Sequence, residues 1–311
     1  MRASKTRLFP IVLVILLLAP CLQACAMLGG GDPEGITIKV LVPGAEPFVE
    51  LRHKFHPGQK EVVVMGLDMA LKLDVSGTVV NDMTLPTMEL GMDVDSREIT
   101  PEGNLRYEWV ITVAKARDNP EIPYQVIDAI DQELLAMIGM SGWGVCSPSG
   151  ELVEDGVNAI SDPTDSQKEI MENMQQQFNQ IFFPLPEEPI GKGAMWQVTM
   201  PVQTDEMYFT QEFTYWLMDI DGDTGELQVT IKQTAEPQTM EIPGLAEGMT
   251  ADLESMTSNG SGNIKYDLNN LVMEATMSLD MSMDFTVRQG NQSQRATQTL
   301  NLKMELVPEG G

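Results

Sequence analysis

Few residues in this sequence combine the types and spacing that chemistry requires. The two histidines, His53 and His56, stand three apart in Leu-Arg-His-Lys-Phe-His-Pro, but no glutamate follows at catalytic-zinc spacing and Pro57 closes the segment. Two ligands do not make a zinc site. Asp219-Ile-Asp-Gly-Asp-Thr-Gly-Glu226 sets acids at alternate positions, as a calcium loop does. Thr224 stands where such a loop needs glycine and Thr230 where it needs glutamate, so the segment reads as an acidic hairpin turn. Methionine is abundant, at 23 residues, and Met69, Met88, Met92, Met273, Met277, Met281 and Met283 fall on apolar strand faces. Flexible, polarisable thioethers suit a surface that accepts variable apolar partners, which makes these seven the candidate lining for a hydrophobic ligand. Plain core filling accounts for the same positions equally well. Met277, Met281 and Met283 are also soft donors of the kind that select Cu(I), yet no His or Cys is near and alternation already explains them, so no metal is expected. No nucleophile elbow, phosphate loop or dinucleotide fingerprint occurs. The sequence offers no catalytic residue and no cofactor site, and an enzyme is not expected.

Cysteine chemistry centres on residue 25. Residues 1–7 carry Arg2, Lys5 and Arg7 with no acid, and Leu8 to Ala19 is an apolar run short of the roughly 20 residues a spanning helix needs. A charged start, a short apolar middle and a small-residue exit make a secretory signal peptide over residues 1–24. The exit, Leu22-Gln23-Ala24-Cys25, resembles the lipobox of bacterial lipoproteins. That resemblance implies a diacylglyceryl group on the Cys25 thiol, palmitate-type acylation and cleavage before the cysteine. Two acyl chains make a stable membrane anchor where one does not. Residues 25–35 then read as the lipidated cysteine and a flexible tether. Ala26 stands where the inner-membrane retention signal of enteric bacteria has aspartate. In a cell with two membranes this favours the outer one, with the domain facing the periplasm or the cell surface. Cys146 is left without a disulfide partner, in the apolar run Gly142 to Cys146, and reads as a core cysteine.

Removing residues 1–24 takes three of the 19 basic side chains and no acid, leaving 16 against 46, a net charge of −30. Nucleic-acid binders need clustered Lys and Arg, so nucleic acid is excluded as a partner. The same charge keeps an anchored domain soluble and clear of an anionic bilayer.

The elements that must position any site are mostly strands. Strict apolar–polar alternation marks Leu67 to Val75, Met88 to Val94, Leu105 to Val113 and, longest, Leu271 to Val287. Ser76-Gly77, Ser149-Gly150, Asp223-Thr224-Gly225 and Asn269-Asn270 supply hairpin turns whose residues tolerate positive φ. Two segments carry helical spacing instead. Tyr124 to Met140 places Ile127, Ile130, Leu134 and Ile138 on one stripe, and Thr164 to Phe182 begins with a capping box and is stopped by Pro184 and Pro186. The acid-rich stretch Gly244 to Ser261 reads as a loop with at most a short helix. The expected fold is mainly β (β-rich α+β): a large curved antiparallel sheet or half-barrel of long strands packing two amphipathic helices. Residues 36–307 form a single domain, with halves 36–122 and 194–307 joined by the helical segment 123–193.

The run Pro184-Leu-Pro-Glu-Glu-Pro-Ile-Gly-Lys-Gly-Ala-Met-Trp196 and the segment Gly260-Ser-Gly-Asn-Ile-Lys-Tyr-Asp267 resemble elements of an uncharacterised family of exported bacterial proteins classed as a domain of unknown function. The turn Asn269-Asn270 departs from the glycine expected there. The resemblance implies no activity. In shape alone, long antiparallel strands around helices on a lipoprotein look like the half-barrels of LolA/LolB-type lipid carriers, an analogy that bears on fold and not on function. The expected role is a membrane-anchored lipoprotein holding lipid or another hydrophobic ligand in the sheet's concavity. The alternative is a structural or assembly lipoprotein with an envelope protein as partner.

Overall fold

Alternation of apolar and polar residues translates into one very wide antiparallel sheet in the computed structural model, which describes residues 35–158, 183–203, 207–240, 249–290 and 292–309. The N-terminal strands are β1 (Thr37–Val42), β2 (Ala45–Val49), β3 (Lys60–Val75), β4 (Thr78–Thr84), β5 (Met88–Ile99) and β6 (Leu105–Ala116). Helix α1 (Tyr124–Leu135) follows, then β7 (Ser141–Cys146), β8 (Leu152–Val157) and β9 (Ile190–Lys192). The C-terminal strands are β10 (Met195–Gln203), β11 (Tyr208–Asp221), β12 (Thr224–Ala235), β13 (Gln238–Met240), β14 (Met249–Asp267), β15 (Glu274–Gln289) and β16 (Gln292–Glu309). The main sheet has 14 strands: twelve on the path β1-β10-β11-β12-β14-β15-β16-β3-β5-β6-β7-β8, with β13 beside β14 and β4 beside β3. The sheet is curved and does not close, since β1 and β8 lie at opposite ends of the path. A small second sheet pairs β2 with β9.

Neighbouring strands run antiparallel throughout, as the short turns require. The two strand-rich blocks join at β16 and β3, which stay in register from Ala296–Val75 to Glu309–Val62. Most of the strands' apolar residues are buried in two clusters. They form a large core over β3, β10–β12 and β14–β16, and a smaller one over β5, β6 and α1. No described helix is long and apolar enough to cross a membrane.

Four sequence expectations change. The long alternating strand begins at Glu274 and not at Leu271. Leu271 and Val272 are buried, and their backbone N–H groups donate to the Glu61 carboxylate at 2.7 and 2.9 Å, so this backbone is used by a side chain and not by a ladder. Burial raises the Glu61 pKa and these two N–H donors oppose the rise. Gly244 to Ser261 is not a loop over its described part, because β14 starts at Met249. From Ser258 to Gly262 its inward positions are small or polar, and an irregularity between Leu253 and Ser255 shifts the alternation by one residue. Helix α1 stops at Leu135: Gly139 adopts φ +86° and donates to Ile111, whose own N–H bonds Met140, so β6 captures the chain and Ile138 is left exposed. Asn269-Asn270 needs no positive φ, since Asn269 turns the chain by bonding the Asp267 carboxylate through its N–H (2.9 Å) and its amide (2.8 Å). The predicted helix Thr164 to Phe182 lies almost wholly outside the described residues, as do residues 1–34 with Cys25.

Gly260 in β14 shows how tightly the inner face is filled. A Cβ there would sit 2.5 Å from the Ser278 carbonyl oxygen and 2.8 Å from Leu279 Cδ1. Gly260→Val should therefore destabilise the domain by about 2–3 kcal/mol, the upper range for overpacking. Urea unfolding of residues 28–311 measures it, and an unchanged midpoint would show that the space is softer than it looks.

Candidate functional site

The chemical candidates of the sequence separate in space. His53 is 7% exposed, stacked on Phe55 at 5.6 Å between centroids and edge-on to Phe183, while His56 faces solvent beside Asn269. Burial lowers the His53 pKa to about 4, with a backbone hydrogen bond to Asn270 opposing the fall. The ring is thus neutral at pH 7 and belongs to an aromatic cluster. The acids of the 219–226 hairpin also disperse. Asp219 pairs with Lys192 at 2.6 Å and Asp223 with Lys54 at 2.5 Å, and each lysine holds its partner's pKa below the usual carboxylate range. The turn itself is Gly222 and Asp223, one residue earlier than expected, with Gly222 at φ +61°. Cys146 is fully buried, its thiol donating to the Ser147 carbonyl at 3.3 Å, and burial pushes its pKa well up, which makes it inert. Among the described residues no three His, Cys, Asp or Glu gather as a metal site.

The proline–glycine–tryptophan run is accounted for by architecture. Trp196 is fully buried, stacks on Tyr215 at 5.2 Å and donates its indole N–H to the Pro184 carbonyl at 3.1 Å. The Leu185 N–H bonds Ser149, and the Arg52 guanidinium bonds the carbonyls of Pro186 (2.9 Å) and Glu187 (3.2 Å). Gly191 passes so close to Ala45 that any Cβ would overlap its carbonyl oxygen. The run is a strap that ties the β7–β8 turn to the β1–β2 end of the sheet.

The seven methionines fall into more than one group. Met69, Met281 and Met283 are buried in the large core, with Met273 and Met277 half-buried at its margin. Met92 lies in the smaller core, and half-buried Met88 touches both. Met273 precedes β15 and is not a strand residue. Register adds two methionines that periodicity did not single out: Met256 sits directly opposite Met283, and Met200 opposite Gln211.

That second pairing opens onto a row of buried polar groups. Gln211 pairs with Gln233, Gln233 with Ser258, and Ser258 with Met281, across β11, β12, β14 and β15. Gln298 of β16 lies opposite Met283, one step along. These four polar residues are 0, 0, 1 and 5% exposed, on the apolar side of the sheet. The Gln233 amide donates to Gln211 Oε1 at 2.7 Å, whereas Gln211 Nε2, Ser258 Oγ and Gln298 Nε2 have no hydrogen-bond partner. A buried polar atom without a partner costs about 1–3 kcal/mol, so the row is expensive to keep in a core. In sequence, each is a polar residue at an apolar position of its strand, a signal visible only once the face is known.

An open cleft of about 470 Å³ crosses β3, β14, β15 and β16, lined by Asp68, Ser261, Asn263, Thr276, Lys303 and Glu305 among others. Thr87 donates to Asp68 at 2.5 Å.

The family model described as a family of unknown function (DUF6263) matches residues 166–273, a stretch that holds both the Pro184 to Trp196 and the Gly260 to Asp267 elements. No curated protein matches. Among solved structures, the chain is similar to OpdQ of Pseudomonas aeruginosa at 7% identity and a TM-score of 0.20, over 81% of this chain and 98% of that one. It is similar to OccAB4 of Acinetobacter baumannii at 9% identity and a TM-score of 0.20, over 81% and 99%. Similarity that low carries no argument about fold or location. What the comparisons establish is a match to a domain family without an assigned activity.

Proposed function

We propose that this protein is a bacterial lipoprotein, anchored through Cys25, that holds a lipid or other hydrophobic ligand against the inner face of its curved sheet. The observation that carries this reading is the unclosed sheet, whose single apolar face is rich in adaptable methionines. Anchoring at the outer membrane fits Ala26 after the cysteine and a domain charge that stands off anionic lipid. Two measurements test the proposal. Cys25→Ser should move the full chain from the membrane fraction to the soluble fraction, and a variant still held by membranes would refute the anchor. Residues 28–311, purified without detergent and analysed by native mass spectrometry with solvent extraction, should carry a lipid at defined stoichiometry. A clean apo mass with no uptake of added lipid would end the ligand reading.

The second reading, an assembly lipoprotein, is favoured by one end of the sheet. Edge strand β1 and neighbouring β2 expose Ile38, Leu41, Val42, Phe48 and Val49. Crosslinking from Leu41 in intact cells separates the two readings, because an assembly factor yields one stoichiometric partner and a carrier does not.

A further inference from the structure

We infer that the row Gln211, Gln233, Ser258 and Gln298 is the head-group site of the ligand, and that the ligand is an uncharged amphiphile whose head carries ester or amide carbonyls. This rests on the proposed hydrophobic-ligand function and narrows it.

The argument starts from what the inner face offers. Its buried polar side chains among the described residues are His53, Ser96, Gln211, Gln233, Ser258 and Gln298, and none carries a charge at pH 7. A carboxylate or phosphate taken into this face would lose its hydration and find no counter-charge. A neutral head does not meet that barrier. The unpartnered atoms then specify its pattern. Gln211 Nε2 and Gln298 Nε2 are donors and Ser258 Oγ can donate, so three groups of this row are donors that lack acceptors. Carbonyl oxygens supply acceptors without bringing charge.

Position supports the same assignment. Gln211, Gln233 and Ser258 are in direct register on adjacent strands about 4.8 Å apart, so they form one polar line of about 10 Å. Methionines border it at both ends, Met200 beside Gln211 and Met281 beside Ser258, with Met256 and Met283 in the next row. Thioether side chains re-pack easily, and they stand where the first carbons of an acyl chain would leave the head. The row is buried, and within it Gln211 Nε2, Gln298 Nε2 and Ser258 Oγ lack partners. Binding gives those donors the partners they lack.

The test uses residues 28–311 and three probes with the same 14-carbon chain: monomyristoylglycerol, its ether analogue 1-O-tetradecylglycerol, and myristate. Titration calorimetry should show the ester bound at least tenfold more tightly than either other probe. The variants Gln211→Met, Gln298→Met and Ser258→Ala should each lose at least threefold in affinity for the ester. The Gln298→Met variant should also melt at a higher temperature than the wild type, because it removes an unsatisfied buried donor, whereas Gln211→Met also takes the acceptor from the Gln233 amide and should bring no such rise. That rise is a readout of folding, so it separates loss of the site from loss of the fold. Equal affinity for ester and myristate, or unchanged ester affinity in all three variants, would overturn the head-group assignment while leaving a hydrophobic-ligand protein. Failure of the wild type to bind any of the three would remove the ligand function itself.

Discussion

Trp196→Ala should destabilise the domain by about 3–5 kcal/mol, the cost of removing a large aromatic from a filled core. The indole is fully buried, stacks on Tyr215 with ring planes 19° apart and bonds Pro184, so its loss leaves a cavity and an unpaired carbonyl together. The damage should spread along the strap, since Phe183 and Leu185 are buried against the same core. Trp196→Phe keeps much of the volume but not the N–H, and should cost about 1–3 kcal/mol. Urea unfolding of residues 28–311 measures both. A loss below about 1 kcal/mol for the alanine variant would mean that the strap is not held by its tryptophan.

Acidification should act through His53. Its pKa is about 4 in the folded protein against 6.5 for the free side chain, so between those values the unfolded chain binds more protons. Stability from this group is therefore complete above pH 6.5 and is lost as the pH falls toward 4, by about 3 kcal/mol at the end of the window. Glu61 works in the opposite sense. Its raised pKa means that the folded state binds more protons just above the ordinary carboxylate range, so its contribution falls as the pH rises there. His53→Phe keeps an aromatic ring against Phe55 and removes the titration. Subtracting its stability–pH curve from that of the wild type should isolate the histidine, with the variant gaining on the wild type only below pH 6.5. Parallel curves from pH 7 to 4 would show that the imidazole is not buried in solution.

Much of this fold was readable from period-two alternation. Leu67 to Val75, Met88 to Val94 and Leu105 to Val113 all lie within strands, because a half-buried strand has to alternate. Alternation failed where inner positions are not apolar. Around Ser258 and Gly260 the inward face is small and polar, and the irregularity near Leu253 breaks the period, so Gly244 to Ser261 reads as a loop. The candidate site was less legible, for a related reason. Parity tells which side of a strand a residue faces but not which part of a 14-strand sheet it reaches, so alternation alone groups Met92 with methionines that lie in another core. The glutamine row stayed hidden because Gln211 and Gln233 are 22 residues apart, and only register makes them neighbours.

The pairing of β16 with β3 has a consequence for how the chain reaches this state. A strand that begins at residue 292 lies in the interior of the sheet, beside one that begins at residue 60. The contacts that unite the sheet therefore span most of the sequence, and folding of this kind is slow because the loop must close before the contacts form. If the chain is exported in extended form, residues 60–75 wait with an open edge until the last 18 strand residues have crossed. That interval exposes a long hydrophobic strand to other chains, the situation in which edge pairing leads to aggregation. In that case the chain folds cleanly only if it is kept apart from its own copies until β16 has followed β3.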